Sequence, residues 1–197
     1  MIATNPQRRY RRVLIVHGFG ASIDDHWFPW LADATPGAER IALPEATTPV
    51  AQTWISTVAD AIGRLGPETA VIAHSLGCVT VAQAVRRVAD SHDRLGLFVA
   101  VAPFAQALPT IGDPDLDAFI ADGLDAFIDL DLASIQDLIE RVEVVRSDND
   151  PIVPPIASDQ FAHAVGANVH VVPGAGHFLA REGIDQLDIA QDLLARP

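Results

Sequence analysis

Thr69-Ala70-Val71-Ile72-Ala73-His74-Ser75-Leu76-Gly77-Cys78-Val79 is the stretch on which the reading of the fold turns. A short β-prone apolar run leads into Ser75, and an amphipathic helical pattern starts directly behind it. A strand that bends sharply into a helix leaves no room for side chains two positions before and two positions after the apex. The apex residue is held in a strained conformation that lifts its side chain clear of the sheet. Ala73 and Gly77 fill the two crowded positions, which makes Ser75 the candidate nucleophile. A Ser before a helix is ordinarily just a cap, so the rest of the chain must supply a base, an orienting acid and an oxyanion site.

Working outward, short β-branched runs alternate with helical patterns, the arrangement of parallel strands joined by crossover helices. Strands are expected at Arg12–Val16, Arg40–Leu43, Ala70–Ala73, Leu97–Val101, Val142–Arg146 and Val169–Val172. Most are nearly continuous apolar runs, as in a sheet covered by helices on both faces. Helices are expected near Trp27–Ala34, Thr53–Leu65, Gly77–Ala89, Ile156–Val165 and Ile184–Ala195. The third is the clearest, with Cys78, Val81, Ala82, Val85, Val88 and Ala89 in one stripe and Gln83, Arg86 and Arg87 opposite.

Residues 103–140 break the alternation, because a crossover needs far fewer. Eight Asp here interleave with Phe104, Phe119, Ile120, Leu124, Phe127, Ile128 and Leu130. That pattern suits amphipathic helices lying over an apolar surface, either as an elaborated crossover or as a small lid. The whole of 1–197 is expected to form one domain: its 49% apolar content can close one substantial core.

Composition removes several function classes. The single Cys excludes an internal disulfide, and no Cys/His cluster has zinc spacing, so neither a metal nor a cofactor is expected. Arg8, Arg9, Arg11 and Arg12 precede an apolar run of only Val13 to Val16, too short for a signal-peptide core or a membrane span. A cytoplasmic protein without membrane partners is expected. A net charge of −13 argues against nucleic acid and repels anionic substrates from an open cleft.

Ligands of open parallel sheets sit beyond the carboxyl ends of the strands, so partners for Ser75 belong just after later strands. Val142–Arg146 runs into Ser147-Asp148-Asn149-Asp150-Pro151, which offers Asp148 or Asp150 as acid. Val169–Val172 runs into Pro173-Gly174-Ala175-Gly176-His177-Phe178, which offers His177 as base. An oxyanion site needs two converging backbone N–H groups. Leu76, at the positive end of its helix, and Phe19, in Val16-His17-Gly18-Phe19-Gly20, are the candidates. Gly18 lets that backbone turn at little steric cost, and His17 is read as supporting the loop by hydrogen bonding. Gly18-x-Gly20 is no dinucleotide fingerprint, because position 23 is Ile.

With these residues in place the chain resembles the α/β-hydrolase superfamily, and within it the small serine hydrolases related to retinoblastoma-binding protein nine. The resemblance rests on the His17-Gly18 start, Trp27 with Trp30-Leu31, His74-Ser75-Leu76-Gly77-Cys78, Asp150-Pro151-x-Val153-Pro154 and Gly176-His177-Phe178. It implies Ser75 as nucleophile, His177 as general base and Asp150 as orienting acid. It also implies a compact fold of about six parallel strands in the order 2-1-3-4-5-6, without the first two strands of larger relatives. Two departures stand out. Ala73 replaces the usual first Gly of the turn, and the L-x-C-x-E motif of the vertebrate relative ends in Thr80, so its protein partner is not expected here.

The expected reaction is hydrolysis of small neutral carboxylic esters. An amidase or peptidase, or a protein-binding module with little turnover, would use the same scaffold; the oligomeric state is open. His74 is read as structural, and His26, His92, His163 and His170 as surface or packing residues. Trp27, Phe28 and Trp30 are read as core rather than acyl pocket, and Cys78 as a small apolar packer.

Overall fold

A computed structural model describes residues 9–90 and 92–196; Arg8 lies outside them. Six strands, β1 (Arg12–Val16), β2 (Ala38–Ile41), β3 (Thr69–His74), β4 (Leu97–Val101), β5 (Val142–Ser147) and β6 (Asn168–Val172), form one parallel sheet in the order β2-β1-β3-β4-β5-β6. This is the compact α/β-hydrolase arrangement. Every residue of β3 and β4 is buried, so the helices on both sides demand apolar side chains at consecutive positions rather than at alternate ones, with only the strand ends Thr69 and His74 polar. At the free edge, β6 leaves Val169 and Val171 exposed.

Helices α1 (Phe28–Ala34), α2 (Ala51–Ile62) and α3 (Leu76–Val88) follow the first three strands, and α6 (Pro155–Val165) and α7 (Asp188–Ala195) the last two. Between β4 and β5 run α4 (Pro114–Asp122), α5 (Asp125–Ile128) and a 3-10 segment, Leu132–Leu138. One apolar layer, around Trp54, Phe98, Phe127 and Phe161, fills the face of α2, α3 and α6. The other, around Trp27, Phe28, Leu31 and Phe178, fills the face of α1 and α7. Fully burying each such side chain contributes about 1.5–3 kcal/mol. Trp27 and Phe28 are therefore core residues. Among the described residues no helix is long and apolar enough to cross a membrane.

The structure corrects several boundaries. β2 runs two residues earlier than the apolar pattern of Arg40–Leu43 suggests, because the Leu43 N–H leaves the sheet to donate to His17 Nε2 at 3.1 Å. The second helix begins at Ala51 and stops at Ile62, where Gly63 turns the chain at φ 65°. The last helix does not start at Ile184. A 3-10 turn, Ala180–Glu182, closes on Gly183 at φ 86°, and α7 begins only at Asp188. In 103–140 the expected helices are present, but none of the nine residues of α4 is buried.

Candidate active site

The turn between β3 and α3 holds Ser75 at φ 54°, ψ −124°, a region that L-residues avoid. Its side chain makes no capping hydrogen bond, so the hydroxyl stays available. Ala at position 73 does not prevent this conformation. Gly77 explains how α3 lies so close to β1: a Cβ there would fall 2.5 Å from the His17 carbonyl oxygen. Gly18 serves close approach too, rather than the turn expected of it. A Cβ would meet the His74 carbonyl and Ser75 Cβ at 3.0 Å, and Leu76 N at 3.5 Å. The loop after β1 is thus laid against the start of α3, beside the Leu76 N–H. Among the described residues, neither the Phe19 nor the Leu76 N–H has an acceptor.

His17 ties that loop down. Nδ1 lies 2.9 Å from the Gly18 carbonyl, which can only accept, so Nδ1 carries the proton and bare Nε2 accepts from Leu43 N–H. Burial lowers its pKa below the ordinary histidine value, in keeping with a neutral ring.

The loops after β5 and β6 meet above Ser75. His177 Nε2 is 3.0 Å from Ser75 Oγ, and Nδ1 is 2.7 Å from Asp150 Oδ2. The carboxylate fixes the proton on Nδ1, which leaves the Nε2 lone pair facing the hydroxyl. The other Asp150 oxygen accepts from Ile152 N–H at 2.8 Å and Val153 N–H at 2.9 Å, so the carboxylate is held at both ends. Asp148 is spent differently: it accepts the Gly174 N–H at 2.8 Å, while Asn149 accepts that of Gly176 at 2.9 Å. These two bonds staple the acid loop to the His loop.

Ser75 and His177 open into a cavity of about 340 Å³. Phe104, Leu108, Leu116, Phe119, Ile120 and Leu124, all from 103–140, supply most of its apolar wall. Phe119 stacks on Phe19 with ring centroids 4.9 Å apart and planes inclined by 26°. Asp115 and Arg181 also border the cavity. Among the described residues no group of three or more His, Cys, Asp or Glu is disposed to hold a metal ion. Cys78 is fully buried, and burial pushes its thiol pKa well up, which suits packing and not chemistry.

Two residues escape the sequence reading. His26 packs edge-on against Phe28 as expected, but it also lines the cavity: its backbone stands at φ 55°, the ring lies edge-on to His74, and Nδ1 accepts the Ala180 N–H at 3.2 Å. Glu182 contacts the His177 loop; the sequence signal nearest to it is Gly176, which marks a positive φ of 54° beside the carboxylate.

A six-stranded parallel sheet with this strand order and a strained Ser at the strand-to-helix turn defines an α/β hydrolase. Residues 13–196 match the model of the family described as Serine hydrolase, and the chain belongs to that family. The protein YdeN of Bacillus subtilis (strain 168) is 32% identical over 192 residues, covering 93% of this chain and 94% of that protein. The crystal structure of the ydeN gene product superposes with a TM-score of 0.80, covering 93% of this chain and 96% of that one. Est1E from Butyrivibrio proteoclasticus shares the fold at 14% identity and a TM-score of 0.61, covering 98% of this chain and 92% of that one.

Proposed function

We propose that this serine hydrolase cleaves small neutral carboxylic esters through an acyl-enzyme, with Ser75 as nucleophile, His177 as general base and Asp150 as orienting acid. The observation that carries the reading is the unbroken hydrogen-bond chain from Asp150 Oδ2 through both His177 ring nitrogens to Ser75 Oγ. Ser75 attacks the ester carbonyl while Nε2 takes its proton, and the resulting imidazolium is stabilised by the carboxylate. The tetrahedral oxyanion is received by the Phe19 and Leu76 N–H groups, of which either is worth ~3 kcal/mol in the transition state. Nε2 then protonates the departing alcohol oxygen. Water, deprotonated by the same nitrogen, releases the acid and restores the hydroxyl.

The cavity supports an apolar acyl or alcohol group of modest size. The surplus negative charge of the chain disfavours acyl-CoA thioesters, which carry several phosphate charges. Residues 103–140 act in this reading as the lid that selects the substrate. The test is turnover of p-nitrophenyl acetate together with labelling by a fluorophosphonate probe. Both are expected from the native chain, and both should vanish in Ser75→Ala. Labelling that persists in that variant would overturn the assignment. Comparable efficiency on an acyl-CoA would overturn the substrate class.

A further inference from the structure

The peptide that carries His177 is gripped from both sides by side chains that the proposed reaction does not consume. Its N–H donates to Glu182 Oε2 at 2.7 Å, and the same oxygen accepts the Leu179 N–H at 3.0 Å. Its carbonyl faces His74 Nε2 at 2.9 Å. A carbonyl only accepts, so Nε2 of His74 carries the proton. Nδ1 is left as a buried lone pair with no partner among the described residues. Burial holds the His74 ring neutral, with a pKa well below the ordinary histidine value.

The turn needs such a grip. Gly176 and Phe178 flank His177 with φ of 54° and 60°. For Phe this left-handed conformation costs about 1–2 kcal/mol, and it persists only where the surroundings enforce it. Phe178 is fully buried. A Cβ on Gly176 would lie 2.5 Å from the Glu182 carboxyl carbon, so a larger residue there would push the carboxylate aside. The bond between Ser75 and His177 breaks and reforms in every cycle, and the ring cannot be held by it throughout. The two bonds to the His177 peptide involve no reacting atom and persist from one step to the next.

We propose that Glu182 is a positioning residue: by accepting two N–H groups of the turn it sets where the His177 imidazole stands between Asp150 and Ser75, with His74 steadying the opposite side of the peptide. This rests on the reading of His177 as the base. The property that matters is an acceptor oxygen at the right reach rather than negative charge, because both hydrogen bonds of the Glu182 carboxylate among the described residues come from neutral backbone N–H groups. Gln places an amide oxygen at the same distance without charge; Asp keeps the charge but withdraws it by one methylene.

The experiment compares the native chain with E182Q, E182D and E182A by steady-state hydrolysis of p-nitrophenyl acetate, the rate of fluorophosphonate inactivation, and thermal unfolding. An ångström of misplacement at a catalytic group costs up to about 100-fold. E182D and E182A are expected to lose roughly 10- to 100-fold in kcat and, in proportion, in inactivation rate, with KM unchanged within about twofold. E182Q should stay within about threefold of the native kcat. If E182A does not fold, E182D against E182Q decides the matter alone. Folded E182D with native kcat, or E182Q as impaired as E182D, overturns the positioning role while leaving the triad reading intact. A native chain inert to both ester and probe overturns the triad reading, and this role with it.

Discussion

The floor and the roof of the cavity are built on opposite physical terms. Ser75 stands at the end of a strand whose six residues are all buried, ahead of a helix buried through most of its first ten positions. The roof, α4, buries none of its nine residues. What shapes it is mostly local: Asp113 caps the N–H groups of Asp115 and Leu116, and Asp117 accepts those of Ile111 and Gly112. Its link downward is Phe119, stacked on Phe19 and edge-on to Phe127 at 5.7 Å. Groups that must stand within a fraction of an ångström are anchored in the core. The wall that faces the cavity from above is carried by an element with no buried residue, which in the proposed reading is the lid.

That contrast can be broken from its rigid side first. Asp150→Asn should lower kcat by about 10⁴-fold, since an amide disturbs the tautomer of His177. Asp148→Asn should stay within about tenfold, because an amide oxygen still accepts the Gly174 N–H. Steady-state kinetics on one ester distinguishes the two, and equal losses would mean that the acid is misassigned. Next comes packing. Trp54→Ala empties a fully buried site and should cost about 3–5 kcal/mol in urea unfolding. Phe119→Ala should cost less than about 1 kcal/mol there, yet shift the kcat/KM preference between short and long acyl esters by roughly tenfold. Losing stability like a core residue would make the roof part of the core.

A smaller effect should come from pH. Burial depresses the pKa values of His17, His26 and His74, so the unfolded chain takes up protons that the folded chain refuses. Their contribution is complete above about pH 6.5, the ordinary histidine value, and is lost as pH falls below it. The urea midpoint should accordingly drop between pH 7.5 and 5.5, and the drop should shrink in His26→Gln. A midpoint that rises over this range would contradict the sign.

How far the sequence reveals this depends on how crowded each place is. Ala73 and Gly77 are legible because sharp turns exclude side chains, and at Gly77 the backbone of the loop after β1 does pack that closely. The carboxyl ends of parallel strands point to both partner loops. Spacing alone does not separate Asp148 from Asp150, because both follow the same strand and only three-dimensional reach tells which carboxylate meets the ring. His26 and Glu182 sit in aperiodic turns, where no hydrophobic pattern registers a single polar contact. The Asp/Phe interleaving of 103–140 announces an amphipathic layer; that its apolar side faces the cavity becomes visible only once the chain is folded.

Phe19 belongs to both regions at once: its backbone N–H is a proposed anion donor, while its ring is the surface on which α4 rests. The cavity roof and the proposed oxyanion site therefore meet at one residue. Under the proposed reaction, a substrate that displaces Phe119 also disturbs the residue whose N–H is to receive its developing charge, so a poor fit is expected to lower rate as well as affinity. Under the same proposal, changes made to the roof to alter selectivity are expected to leave a trace in turnover.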